Sequence, residues 1–218
     1  MCPVAIEAVK RALESPGHAA GYVNALGKPE ARQAIANHYA TAWNQTSLSF
    51  DRVVIANGCS GALELALTAL LDPGSILLVP QPGFPLYQVI AKSHGATVLH
   101  YRLDPDREWE IDLTHLRSLL RNKQNAPKIR GIVVNHPSNP TGAVYSNDHL
   151  EEIVSLCEEY RLPIVADEVY GNLVLDKSPF RSVAQVSSGR VPVIVASGLA
   201  KQFLLPGWRV GWIVFCDR

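Results

Sequence analysis

The chain has 218 residues, enough to bury roughly 70% of the surface that an unfolded chain of this size exposes, so an ordinary hydrophobic core is feasible. Apolar residues make up 47% and charged residues 18%, a composition that excludes a disordered chain. The 20 basic and 20 acidic side chains cancel, which removes any electrostatic reason to expect nucleic acid or an anionic membrane as a partner.

Met1 to Lys10 reads as an amphipathic helix rather than a signal peptide. Beyond it, short β-branched runs alternate with helical patterns. Val53 to Ala56 is a strand, followed by a helix from Ser60 to Leu71 that Asp72-Pro73-Gly74 stops. Ile76 to Val79 is a strand, Pro85 to Ser93 is helical, and Thr97 to Tyr101 is a strand. Asp112 caps a helix to about Asn122, with leucines 113, 116, 119 and 120 on one face. Ile129 to Val134 is a strand, Asn147 caps a helix to Tyr160, and strands follow at Pro163 to Ala166, Val193 to Ala196 and Val210 to Phe215. Strands that read as continuous apolar runs are buried on both faces. The expected fold is therefore α/β, a mainly parallel sheet with helices on both sides.

Cys2, Cys59, Cys157 and Cys216 form neither a CxxC pair nor a Cys/His ligand set, so free thiols in a reducing compartment and no metal site are expected. No apolar run approaches the ~18 residues of a membrane span. A soluble protein of the cytoplasm follows, with the mitochondrion left open. No GxSxG elbow occurs and nothing marks any of the seven histidines as a triad base, so a serine hydrolase has no support.

In a parallel sheet the ligand sits beyond the carboxyl ends of the strands. Four strand ends here carry polar groups suited to one site: Asn57 to Gly61, Asn135 to Gly142, Asp167 to Tyr170, and Ser197 to Lys201. The small residues Gly58, Cys59 and Ser60 open a helix, leaving backbone N–H groups free for a phosphate, with the Ser60 hydroxyl beside them. A tight turn that binds nothing has the same sequence. Neither GxGxxG nor GxxxxGK[ST] is present, so dinucleotide and ATP binding gain nothing. Asp167 ends a buried strand, where a carboxylate is costly unless paired. It suits a cationic ring nitrogen, through a bond worth roughly 1.5–3 kcal/mol, or else a helix cap or structural ion pair. Lys201 lies in the apolar run Leu199 to Leu205, where desolvation would lower its pKa and free its amine for a Schiff base. A lysine reaching out to the surface is the alternative. The fork of Arg209 suits bidentate phosphate binding, or a plain surface position.

Asn139-Pro140-Thr141-Gly142, Asp167-Glu168-Val169-Tyr170 and Lys201 followed by Gly207-Trp208-Arg209-Val210-Gly211 together resemble the fold-type I, pyridoxal-phosphate-dependent aminotransferases of class I and II, over essentially the whole chain. Pro80 to Tyr87 and Pro206 to Trp212 look most like the tyrosine aminotransferase group within that family. The resemblance implies transamination between an amino acid, aromatic and first of all tyrosine, and a 2-oxo acid. Lys201 would carry pyridoxal 5'-phosphate as a Schiff base and shuttle the proton between substrate Cα and cofactor C4′. Asp167 would keep the pyridine nitrogen protonated, and Asn139 and Tyr170 would hydrogen-bond the phenolic oxygen. Phe84 would stack on the ring or sit in the core. Gly58, Cys59 through its backbone, Ser60 and Arg209 would hold the phosphate. Tyr22 would reach the partner's phosphate across a homodimer.

Two departures qualify the resemblance. Many relatives carry a phosphate-binding serine three residues before the lysine; here that position is Gly198, and Ser197 is one further back. Relatives also continue past the position of Arg218, with the rest of the large domain and a small domain holding the arginine for the substrate's carboxylate. The expectation is one incomplete domain, with residues 1–45 a helical segment near the dimer interface and 46–218 the cofactor-binding core. That makes the chain a fragment, a truncated gene model or a splice product. An inactive dimerisation partner, a C–S lyase and an alanine-type aminotransferase are the alternatives. Missing strands would leave an unpaired sheet edge and exposed core.

Overall fold

The computed structural model describes residues 3–14, 21–43, 48–173 and 180–217. Helix α1 (Pro3–Glu14) has the amphipathic pattern expected at the start, yet buries none of its residues; Val4 and Leu13 are each 72% exposed. Met1 and Cys2, also assigned to that helix, lie outside the described residues. Helix α2 (Pro29–Ala42) opens on a proline, whose fixed φ and missing N–H suit a first turn. Strand β1 (Val53–Asn57) runs directly into helix α3 (Gly58–Leu70). Strand β2 (Ile76–Gln81), helix α4 (Leu86–Ser93) and strand β3 (Thr97–Asp104) follow, then strand β4 (Glu110–Ile111), whose two residues are too few to show a periodic pattern.

Helix α5 (Leu113–Arg121) starts as expected, with the Asp112 carboxylate accepting the His115 N–H at 2.8 Å. Strand β5 (Ile129–Asn135) leads to helix α6 (Asn147–Glu159), whose cap is Ser146 rather than Asn147. The Ser146 hydroxyl accepts the His149 N–H at 3.2 Å, and Asn147 is already the first helical residue. Strand β6 (Ile164–Asp167), helix α7 (Val183–Ser187), strand β7 (Val193–Gly198), helix α8 (Leu199–Gln202) and strand β8 (Val210–Cys216) complete the order.

The strands form one sheet in the order β1-β8-β7-β6-β5-β2-β3-β4. Strands β7, β6, β5, β2 and β3 are mutually parallel; β8 is antiparallel to both of its neighbours, and β4 is antiparallel to β3. The sheet is thus mainly parallel, as expected. The unpaired edge expected from missing strands is not at β8. That strand lies inside the sheet, between β1 and β7, and the outer side of β1 is met by the Leu26 carbonyl, which accepts the Ile55 N–H at 2.9 Å.

Side chains alternate across the sheet. Ile132, Val134, Ile164, Ala166, Val193 and Val195 face a layer built from α2, α5, α6 and α7, whereas Val133, Val165, Ile194 and Ala196 face α3 and α4. Helices therefore cover both faces. The alternation continues through the strand ends. It sends Asn135 and Asp167 to the α3–α4 side and Glu168 and Ser197 to the other.

Glu168 is fully enclosed there. Its carboxyl accepts from the Ser182 hydroxyl and the Val183 N–H, both at 2.9 Å, and so anchors the start of α7. Burial pushes its pKa up to about 8. The buried proton contributes stability in full below the ordinary carboxylate range, and that contribution is lost as pH rises through about 8. Glu168→Gln keeps the acceptor oxygen and removes the titration. Thermal melts from pH 5 to pH 9 should show the variant gaining on the parent as pH rises; a constant difference across that range would contradict the assignment.

Candidate active site

The carboxyl ends of β5, β6 and β7, with the starts of α3 and β8, enclose a cleft of ≈ 280 Å³. Cys59, Ser60, Phe84, Asn139, Asp167, Tyr170, Lys201 and Arg209 all line it. Of the remaining residues singled out from sequence, Gly58 lies under the Arg209 side chain, and Tyr22 is wholly exposed and outside the cleft.

The first turn of α3 builds one wall. Asn57 at its N-cap makes no side-chain capping bond, so the amides of the turn are left for another partner. Gly58 has φ +71, and a Cβ on it would stand 2.4 Å from Nη2 of Arg209. The guanidinium thus occupies the space that the glycine leaves. Arg209 is itself left-handed (φ 51), with Nη1 donating to the Pro206 carbonyl at 3.1 Å. Amides, the Ser60 hydroxyl and a guanidinium on one spot make a seat for a dianion. A Cβ on Gly211 would lie 2.2 Å from the Gly58 carbonyl carbon and 2.5 Å from the Cys59 nitrogen, so β8 can approach α3 only with glycine there.

Asp167 forms the floor. It is buried, and burial raises its pKa, opposed by hydrogen bonds from the Tyr87 hydroxyl, the Val169 N–H and the Cys59 thiol. Asn135, level with Asp167 in the β5–β6 register, organises the adjoining loop. Its Oδ1 accepts the Asn139 N–H at 2.6 Å, and its Nδ2 donates to the Asp167 carbonyl at 3.1 Å. His136 behind it is sandwiched between the Tyr145 and Phe180 rings, both at 5.1 Å, and burial lowers its pKa to about 4. It is a neutral structural ring.

Two sequence expectations are corrected. Lys201 is exposed, with Nζ 5.6 Å from the centre of the Tyr170 ring, rather than embedded in an apolar run. Leu204 adopts φ +56, and the turn leaves Phe203 51% and Leu204 77% exposed instead of packed around the amine. Ser197 does not reach the cleft. Strand alternation points it to the opposite face, where its hydroxyl accepts from Gln202 at 2.7 Å. A smaller cavity of ≈ 160 Å³ lies on that side, lined in part by Tyr39, Trp43, Glu168 and Gln202. Tyr87 and Asn135 also line the main cleft; the sequence placed Asn135 at a strand end suited to the site and Tyr87 in a family motif, without a role for either. A tyrosine on the apolar face of α4, with Ile90 and Ala91, was the available signal, since a buried hydroxyl needs a partner.

Known proteins share this arrangement of chain. The family described as "Aminotransferase class I and II" matches residues 1–218. The chain belongs to that family. Tyrosine aminotransferase of Bos taurus is 42% identical over 216 residues, covering 99% of this chain and 46% of the relative. Tyrosine aminotransferase of Dictyostelium discoideum is 42% identical over 198 residues, covering 91% of this chain and 46% of the relative. The crystal structure of tyrosine aminotransferase from Leishmania infantum superposes with a TM-score of 0.92 at 32% identity, covering 99% of this chain and 52% of that one. An Escherichia coli aminotransferase structure gives 0.90 at 33% identity, covering 100% and 52%. This class I and II aminotransferase chain spans about half the length of the relatives that it matches. Among the described residues, no helix is long and apolar enough to cross a membrane, no group of side chains is arranged to hold a metal ion, and Cys59, Cys157 and Cys216 are free thiols.

Gly211→Ala is expected to lower stability by about 1–3 kcal/mol through overpacking against the α3 backbone. Gly207→Ala, where a methyl group meets open space, is the matched control. Urea midpoints of the two variants measure the difference.

Proposed function

We propose that this chain is the pyridoxal-phosphate-binding part of an enzyme that moves an amino group between an amino acid and a 2-oxo acid, with aromatic donors, tyrosine first. The observation that carries this reading is the convergence of Asn139, Asp167, Tyr170, Lys201 and Arg209 on one cleft in a chain of this family. Relatives named tyrosine aminotransferase at 42% identity support the donor class. The chain reads as one incomplete domain, residues 46–218 the cofactor-binding core and 1–45 a helical segment near a homodimer interface.

The residues present fit the cofactor. The uncapped turn of α3, Ser60 and the Arg209 guanidinium over Gly58 suit its phosphate, and the buried Asp167 carboxylate suits its ring nitrogen. Bound there, pyridoxal phosphate supplies an electron sink for the pair released when the substrate's Cα loses its proton. Asp167 would hold the proton on the ring nitrogen. Asn139 and Tyr170 would hydrogen-bond the phenolic side. Lys201 would hold the cofactor through its amine and would move the proton at the substrate's Cα. Its exposure in the cleft leaves the amine accessible to both partners. Phe84, partly exposed and edge-on to Tyr87, covers the ring face. Tyr22 serves the partner's phosphate, a role that its full exposure supports.

Adding pyridoxal phosphate, reducing with borohydride and mapping the modified peptide tests the reading. Label should fall on Lys201 and vanish in Lys201→Ala; label scattered over surface lysines would overturn it. Arg209→Ala should weaken cofactor binding by roughly tenfold or more, measured by absorbance titration. A panel of amino donors with a 2-oxo acid acceptor then separates the chemistries, since β-elimination without oxo-acid exchange would favour a C–S lyase.

A further inference from the structure

The Asp167 carboxylate is gripped at both oxygens from the α3–α4 side. The Tyr87 hydroxyl, on α4, donates to Oδ2 at 2.7 Å. The Cys59 thiol, on the first turn of α3, faces Oδ1 at 3.6 Å, and the Val169 N–H reaches the same oxygen at 3.4 Å. Resting on the cofactor reading above, we propose that Tyr87 and Cys59 are positioning residues for Asp167, a two-point clamp with one side-chain donor on each oxygen that fixes how the carboxylate faces the cleft.

The clamp is well made for this task. A carboxylate at a strand end can rotate about its last bond, and a single donor leaves that rotation free. Donors from two different helices, one at each oxygen, fix the plane. Tyr87 is only 1% exposed and packs in the α3–α4 layer, so its hydroxyl has little freedom. Burial and the Asp167 charge both push the Tyr87 phenol and the Cys59 thiol up, so each keeps the proton that it donates. For Asp167 itself, burial favours the neutral form, and the Tyr87 hydrogen bond is the largest of the opposing effects, ahead of Val169 and Cys59. Lys201 and Arg209 line the same cleft and Glu168, whose carboxyl feels the Asp167 charge, lies behind the strand; all three remain in the variants below.

The test reads Asp167 with and without cofactor. In the chain labelled with carboxyl-¹³C aspartate and free of pyridoxal phosphate, Tyr87→Phe should raise the Asp167 titration midpoint by about one unit. The same variant should weaken pyridoxal phosphate binding by roughly tenfold. Cys59→Ala should move both in the same direction by less, and Cys59→Ser should restore them. Tyr101→Phe is the control, because that equally buried hydroxyl donates to the Val133 carbonyl at 2.7 Å and not to Asp167. Tyr87→Phe behaving like Tyr101→Phe in both measurements would overturn the clamp. If circular dichroism shows Tyr87→Phe unfolded, Cys59→Ala decides alone, and an unmoved midpoint overturns the proposal. A shifted midpoint in a chain whose parent binds no pyridoxal phosphate would support the clamp and overturn the cofactor reading instead.

Discussion

The contact between two pieces of backbone, Gly211 of β8 against Gly58 and Cys59 at the head of α3, sets the rest of the molecule in place. A methyl group on Gly211 would stand 2.2 Å from the Gly58 carbonyl carbon, so glycine alone permits the approach. That approach brings the residue just before β8, Arg209, over the open end of α3. It also lets β8 slot between β1 and β7. Helix end, guanidinium and strand order are one arrangement. None of them can move without the other two.

Alternation across the sheet does the remaining sorting. Asp167 and Glu168 are neighbours in sequence, yet they belong to different environments. One meets Tyr87 and Cys59 beside the cleft, and the other is sealed against Ser182 and Val183 on the reverse. Burial raises the pKa of both, and the first lies in the larger cleft with Lys201 and Arg209 while the second borders the smaller cavity. Ser197 is separated from the cleft by the same rule, although it lies four residues from Lys201.

The sheet was legible because parallel strands buried on both faces leave continuous β-branched runs, and the site was legible because ligand groups in such sheets gather where those runs stop. What was not legible had physical causes of its own. Strand β4 has two residues and no room for a period. Ser146 and Asn147 are adjacent and both of capping type, so composition does not choose between them. The setting of Lys201 depended on a left-handed turn at Leu204, which sends its apolar neighbours outward and which a run of leucines does not announce. Tyr87 reads as one more core residue on α4 until the carboxylate opposite its hydroxyl is seen.

The place of β8 also governs when this sheet can be assembled. Arg52, at the entry to β1, donates to the carbonyl of Asp217, 165 residues along the chain. Among the described residues β1 pairs in the sheet with β8 alone, and β8 follows every other strand in sequence. On the ribosome, β1 therefore emerges long before its neighbour exists and must wait, apolar and without its ladder. Contacts of such long sequence separation make for slow closure and extended exposure of that strand during synthesis. In this order of synthesis β1 stays without its partner in the sheet until β8 is made.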